Sequence, residues 1–202
     1  MKTLQQIEAL TQWVPAWHDT GNCMDRRHIL WLYEILTRLD IDRTLEIGVY
    51  SGCSSSAFVH AGVVDAHFCD VTRRADAMSV IEGRGTFHQR KGCDVLRDES
   101  LFDLVFVDGA HDFASVSEEL TALIDKTPTI IVAHDVNSGA VGFPHCDGAH
   151  YLWETLQGWG WQCWVDAKDR PGEMTKRGML VGVKDGMSWI GNEIRQAYQA
   201  IL

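Results

Sequence analysis

From residue 43 onward the chain carries seven short apolar runs, and two of them, Leu104-Val105-Phe106-Val107 and Ile130-Ile131-Val132-Ala133, are apolar without interruption. A strand with one wet face alternates apolar and polar residues, so an unbroken run belongs to a strand covered on both faces, as in a parallel α/β sheet. The runs fall at 44–49, 66–71, 86–91, 102–108, 129–136, 161–167 and 178–184. Helical stretches separate them at 54–60, 73–81 and 149–156, and Phe113, Val116, Leu120 and Leu123 or Ile124 mark an amphipathic helix between the two central runs. Residues 168–177, with Pro171-Gly172 in their midst, are too turn-rich for a crossover helix, so the last two runs form a hairpin. The expected fold is α/β: a Rossmann-like, seven-stranded, mostly parallel sheet with one antiparallel strand from the C-terminal hairpin and helices on both faces.

A chain of 202 residues suits one domain. Within it, 1–42 reads as a helical cap (Leu4, Ile7, Leu10, then Ile29, Leu32, Tyr33, Leu36, Leu39), 43–184 as the core and 185–202 as a C-terminal helix. Pro15 and Asp19-Thr20-Gly21-Asn22 break the cap in two. A formal net charge of -10 disfavours a partner held through phosphates, which needs clustered Lys and Arg. A small-molecule substrate is expected, with no nucleic acid and no membrane, and homo-oligomerisation is left open. The six cysteines form no CxxC pair and the chain has no apolar stretch long enough for a bilayer, which points to a reducing, cytoplasmic setting.

In an open parallel sheet, ligands bind beyond the carboxyl ends of the strands, so the loop after the first run is the first place to look. It reads Glu46-Ile47-Gly48-Val49-Tyr50-Ser51-Gly52. Gly48 allows a sharp turn, Gly52 lets the following helix approach a ligand, and the free amides with the hydroxyls of Ser51, Ser54, Ser55 and Ser56 suit an anion. A dinucleotide fingerprint would need a glycine where Tyr50 stands, so the loop suits a single carboxylate better than a pyrophosphate. Asp70 ends the second run about twenty positions past Gly48, the spacing of an acid that accepts from ribose hydroxyls. Without a ligand, the same residues make a plain tight turn.

The segment Thr44-Leu45-Glu46-Ile47-Gly48-Val49-Tyr50-Ser51-Gly52-Cys53-Ser54 resembles the cofactor loop of the catechol O-methyltransferase group of class I S-adenosylmethionine-dependent methyltransferases. Phe102-Asp103-Leu104-Val105-Phe106-Val107-Asp108-Gly109-Ala110-His111 and Ile130-Ile131-Val132-Ala133-His134-Asp135-Val136 resemble related small enzymes, the macrocin-type sugar O-methyltransferases and cephalosporin hydroxylase-like proteins. The likeness covers about half the chain. It implies that Glu46, Gly48, Tyr50, Ser51, Gly52 and Ser54 line the methionine end of S-adenosylmethionine, that Asp70 holds the ribose, and that Cys93 and Asp94, in the loop after the third strand, lie against the adenine. Asp108 counts among the cofactor, metal and catalytic positions alike, and Asp108 and Asp135 match positions that hold a divalent metal. The chain departs from the catechol pattern at Val136, which stands where Asn is a metal ligand, so Asn137 or His134 would have to replace it.

Methyl transfer to oxygen needs an aligned acceptor and one base. Carboxylates at Asp108 and Asp135 are hard ligands that favour Mg²⁺, which would orient hydroxyls and lower their pKa. His111 stands where the resemblance places a catalytic Lys; it is either the base or a loop histidine bonded to backbone. His134 is a second base, a metal ligand or a core histidine. The glycine-containing segment 137–148 reads as a substrate-facing loop, and its cluster of His145, Cys146 and Asp147 with nearby His150 fits no zinc spacing. Trp13 and Trp17 are the aromatic candidates over the substrate. The leading expectation is metal-assisted O-methylation of a small hydroxylated molecule, a sugar or natural product. An NAD-dependent oxidoreductase and a non-catalytic, hydroxylase-associated subunit that binds S-adenosylmethionine are the alternatives.

Overall fold

The structure, a computed structural model, describes residues 2–16, 24–126, 128–137, 147–166 and 177–202. The seven runs become strands β1 Arg43–Ile47, β2 Asp65–Cys69, β3 Thr86–His88, β4 Leu104–Val107, β5 Ile130–His134, β6 Gln162–Asp166 and β7 Met179–Val183. They form one sheet in the order β3-β2-β1-β4-β5-β7-β6. All neighbours pair parallel except around β7, which runs antiparallel to both β5 and β6. The reversed strand is therefore the last one, as the turn-rich segment before it demands; residues 167–176 lie outside the described residues.

Among the described residues, eight helices flank the sheet: α1 Leu4–Leu10, α2 Arg26–Arg38, α3 Ser55–Ala61, α4 Ala75–Ile81, α5 Gly92–Asp98, α6 Phe113–Lys126, α7 Asp147–Gly158 and α8 Ser188–Ile201. Alternation along the central strands divides the core between two faces. Leu104 and Phe106 of β4 point into one cluster with Ile29 and Leu32 of α2, Phe58 of α3, Ile81 of α4 and Ile194 of α8. Val105 and Val107 point into the other, with Val95 and Leu96 of α5, Leu120 and Leu123 of α6 and Leu152 of α7. Both faces are thus dry, which is why β4 carries no polar residue.

Residues at both ends of the chain join the first face. Thr3 and Gln6 form a reciprocal capping box on α1, and buried Arg27 donates to the carbonyls of Ile201 and, at 3.0 Å, Lys2, tying α2 to both ends of the chain. The sequence pattern missed α5 and extended the third strand to Lys91; the chain leaves β3 after His88 and turns into a helix of 7 residues whose Val95 and Leu96 are sealed in the second cluster.

β1 sits centrally, with β2 and β3 to one side and β4 onward to the other. The loops after β1 and β4 consequently leave in opposite directions and open a crevice at the carboxyl edge. Everything that follows lies there.

Candidate active site at the carboxyl edge

The turn after β1 is shaped by three residues of positive φ: Gly48 at 90°, Tyr50 at 45° and Gly52 at 81°. A Cβ on Gly48 would come within 2.1 Å of the Asp108 carbonyl oxygen, so this glycine is what lets the β1 and β4 loops touch. Tyr50 takes the left-handed conformation at a cost that its amide helps offset by donating to Asp70 Oδ2 at 2.9 Å. Asp70 Oδ1 accepts from the Thr72 amide at 2.8 Å, so the acid at the end of β2 is fixed by two backbone donors while its carboxylate borders the crevice. The Tyr50 ring is about half exposed and carries the Arg74 guanidinium 4.5 Å from its centre.

Beneath the turn, Glu46 is sealed from solvent and accepts hydrogen bonds from the hydroxyls of Ser54 and, at 2.5 Å, Ser55. Burial pushes its carboxyl up to about 8, although the two serine donors pull the other way.

The crevice is a cavity of about 510 Å³. It gathers Gly48, Tyr50, Ser51, Ser54, Asp70, Cys93, Asp108, His111 and Asp135 from the expected residues. Glu46 and Gly52 stand behind it, the first acting through Ser54 and the second packing against Ala77 of α4. Asp94 is not brought to it: it occupies the first turn of α5 rather than a loop and pairs with Arg97 at the surface. Trp13 is also elsewhere, stacked on His60 at 4.7 Å between ring centres; Trp17, His145 and Cys146 lie outside the described residues. Asp147 accepts from the Phe113 amide at 3.1 Å, and His150 Nδ1 lies 3.3 Å from the Val136 carbonyl, so both serve local structure.

At the strand tips, three histidines and three carboxylates meet. His111 Nε2 lies 3.3 Å from Asp135 Oδ2, with the imidazole 31% exposed toward the cavity. Asp135 sits at a φ of 58°, which swings its carboxylate back over the end of β5, and its other oxygen lies 3.3 Å from His134 Nδ1 and 3.7 Å from Arg177 Nε. His134 is buried and also faces Asp108 Oδ1 at 3.4 Å. Burial opposes charge on this ring, but Asp108 and Asp135 outweigh it and raise the pKa above the ordinary histidine value. His134 Nε2 contacts His28 Nδ1 of α2 at 3.3 Å, and His28 Nε2 lies 3.6 Å from Asp166 Oδ2.

Ligand atoms of Asp108, His134 and Asp135 lie within 4.8 Å of one another, and their chemistry can be set against that of Mg²⁺. The ion wants about six oxygens in octahedral array. Here two carboxylates and one nitrogen converge, Val136 turns an apolar side chain fully into the core, and the Arg177 guanidinium already places a positive charge beside Asp135. Arg177 and the buried His134 ring therefore compete with a divalent cation for these carboxylates.

Against known structures, the chain superposes on the O-methyltransferase TomG from Streptomyces achromogenes, involved in tomaymycin synthesis and solved with SAM, at a TM-score of 0.65 and 20% identity, covering 89% of this chain and 90% of that one. The fold is that of the SAM-binding O-methyltransferases. An O-methyltransferase from Bacillus cereus in complex with SAH matches at 0.64 and 16% identity over 91% of this chain and 93% of its own, and the SAH-bound methyltransferase PaMTH1 of Podospora anserina at 0.59 and 17% over 90% and 88%. No family model matches the sequence, and neither does any curated protein.

Among the polar residues of this region not singled out from sequence are Arg177, Glu119, His28 and Lys91. Arg177 directly precedes the last run and carried no pattern. Glu119 and His28 did carry one: each is a polar residue in a buried helical stripe, Glu119 beside Val116, Leu120 and Leu123, and His28 one turn before Leu32. Lys91, at the N-cap of α5, became a wall of the cavity only because the third strand ends early.

Proposed function

We propose that this chain is an S-adenosylmethionine-dependent methyltransferase that methylates a hydroxyl of a small molecule, a sugar or natural product, with His111 as base. The observation that carries this reading is the contact of Gly48 with the Asp108 carbonyl, which joins an amide-rich turn, the fixed acid Asp70 and the His111–Asp135 pair around one cavity. Ser51, Ser54 and the amides following Gly48 receive the methionine carboxylate and amine, and Asp70 the ribose hydroxyls. When bound, the cofactor supplies the electrophilic methyl group. The protein aligns the acceptor oxygen behind it and removes the hydroxyl proton at His111 Nδ1, the ring nitrogen left basic when Nε2 faces Asp135, with Asp135 stabilising the imidazolium that results. Asp135 is in turn held by His134 and Arg177, so the base is oriented from two sides.

The residues offer this chemistry without Mg²⁺, and no step is routed through a metal. Tyr50, with its ring projecting where a diphosphate would cross bare backbone, disfavours NAD. Cys69, Cys93 and Cys163 stand outside any disulfide, which suits a cytoplasmic setting, and no described helix is long and apolar enough to cross a membrane.

Calorimetric titration tests the reading: S-adenosylhomocysteine binds in the micromolar range and NAD does not. With an acceptor found by screening hydroxylated sugars and phenols, His111→Ala lowers kcat by roughly 10²–10⁴ while S-adenosylhomocysteine affinity holds. Binding of NAD in place of S-adenosylhomocysteine sinks the proposal.

A further inference from the structure

The cavity continues past Asp70 to an end that the reading above leaves unassigned. Lys91, Gly92 and Cys93 of the β3–α5 connection form one wall there, Ile47 and Cys69 the floor, and Ser115, Glu118 and Glu119 of α6 the back. Two glycines stand close against one isoleucine here, leaving no side chain between backbone and a ring-sized ligand. A Cβ on Gly92 would come within 2.5 Å of Ile47 Cγ2, and one on Gly109 within 3.2 Å of the same atom. An aromatic plate fits such a slot better than a branched group.

Of the two carboxyls at its back, Glu119 is the buried one. The residue is 7% exposed, its Oε1 lies 3.7 Å from where a Gly109 Cβ would stand, and its Oε2 is shut from solvent with no hydrogen-bond partner among the described residues. A sealed carboxyl oxygen without a partner costs about 1–3 kcal/mol unless a ligand completes it. Neighbouring acids are already engaged: Glu118 pairs with Lys91 at 3.3 Å, and Asp94 with Arg97.

Building on the methyltransferase assignment, we propose that Glu119 reads the adenine of the cofactor, accepting from the 6-amino group and donating to a ring nitrogen of the base. Such a dual role requires a neutral carboxyl, which has one donor and one acceptor where a carboxylate has acceptors only. Burial provides it: together with the charges of Asp112 and Glu118, and against the opposing pull of Lys91, it pushes the Glu119 carboxyl up to about 8. The role is one of recognition. It takes the place the sequence expectation gave to Asp94, which pairs with Arg97 and is not among the residues lining the cavity.

The experiment compares calorimetric affinities of two probes, S-adenosylhomocysteine and its analogue lacking the 6-amino group, for the wild-type protein, Glu119→Gln and Glu119→Leu, each checked for folding by circular dichroism. The wild type loses about tenfold on removal of the amino group. Glu119→Gln, whose amide keeps one donor and one acceptor, shows the same loss and binds S-adenosylhomocysteine within about threefold of wild type. Glu119→Leu binds S-adenosylhomocysteine at least about thirtyfold more weakly and no longer distinguishes the two probes. Equal binding of both probes by the wild type overturns the proposal whatever the variants do, as does an undiminished preference in a folded Glu119→Leu. If the wild type binds neither probe, the methyltransferase reading itself has failed, an outcome distinct from both.

Discussion

His28 Nδ1 and His134 Nε2 meet at 3.3 Å in a part of the core where neither ring is exposed, joining α2 to the tip of β5. The contact is the middle of a buried chain. Asp108 and Asp135 face one end at His134 Nδ1, and Asp166, which accepts from the Tyr198 hydroxyl at 3.2 Å, faces the other at His28 Nε2. Three junctions need three ring protons, whereas two neutral imidazoles carry two. Two neutral rings therefore leave one junction without a proton, in a place where three carboxylates face the pair.

Removing one ring breaks the count. His28→Leu leaves His134 Nε2 without its partner and removes the ring that faces Asp166, and leaving a buried polar group unpartnered costs about 1–3 kcal/mol. Urea denaturation of His28→Leu is expected to show a loss of that order at pH 6. A midpoint unchanged from wild type would mean that the chain of contacts contributes no stability.

The raised pKa of His134 sets the direction of a pH effect. A histidine whose folded pKa exceeds its unfolded value of 6.5 contributes stability that is complete below 6.5 and is lost as pH rises through the folded value. Glu46 acts in the same direction. Its carboxyl rises from 4.5 to about 8, so between those pH values the folded state holds a proton that the unfolded state gives up, and stability falls as pH rises. Glu46→Gln cannot ionise. Its stability relative to wild type is expected to improve from pH 5 to pH 8 by about 2 kcal/mol or more, since each pKa unit is worth about 1.36 kcal/mol. Parallel pH profiles of the two proteins, measured by urea titration, would refute a buried neutral Glu46.

Gly48 carries the link between the two loops, and Gly48→Ala tests it. The added Cβ meets the Asp108 carbonyl oxygen at 2.1 Å and the residue keeps a φ of 90° that alanine rarely adopts. Strain of about 2–3 kcal/mol and displacement of the β4 tip follow. The expected readouts are a lower urea midpoint and loss of S-adenosylhomocysteine binding by more than tenfold. A variant that binds as wild type does would show that the loops need not touch.

Much of this was legible in the residues. Unbroken apolar runs announce strands buried on both faces, and Gly48, Tyr50 and Asp70 lie in the cavity where their order along the chain puts them. The hairpin was legible for the same reason, since turn-forming residues leave no room for a crossover. What stayed hidden depends on contacts between distant elements. Helix α5 is seven residues long, too short to show a helical period, so Asp94 was assigned to a loop, whereas it sits in the first turn of that helix and outside the cavity lining. Arg177 became part of the site because β7 runs back beside β5, a pairing that places the residues before Met179 next to Asp135. No local pattern encodes that meeting.

Arg177 also decides what the carboxylates at the strand tips hold. Its Nε lies 3.7 Å from Asp135 Oδ1, and the same oxygen faces His134 Nδ1, so a divalent cation entering between Asp108 and Asp135 meets a guanidinium and a buried ring that already balance them. Methyl transfer should accordingly survive chelation: dialysis against EDTA leaves turnover within about twofold, and added Mg²⁺ does not raise it. Arg177→Ala removes the fixed charge and exposes Asp135 to cations, so that variant, unlike wild type, should gain a Mg²⁺-dependent rise in melting temperature, as a ligand bound only to the folded state produces. A wild-type enzyme that loses activity in EDTA and recovers it with Mg²⁺ would show that Arg177 yields its place to a metal, and that the base acts on a hydroxyl already polarised by one.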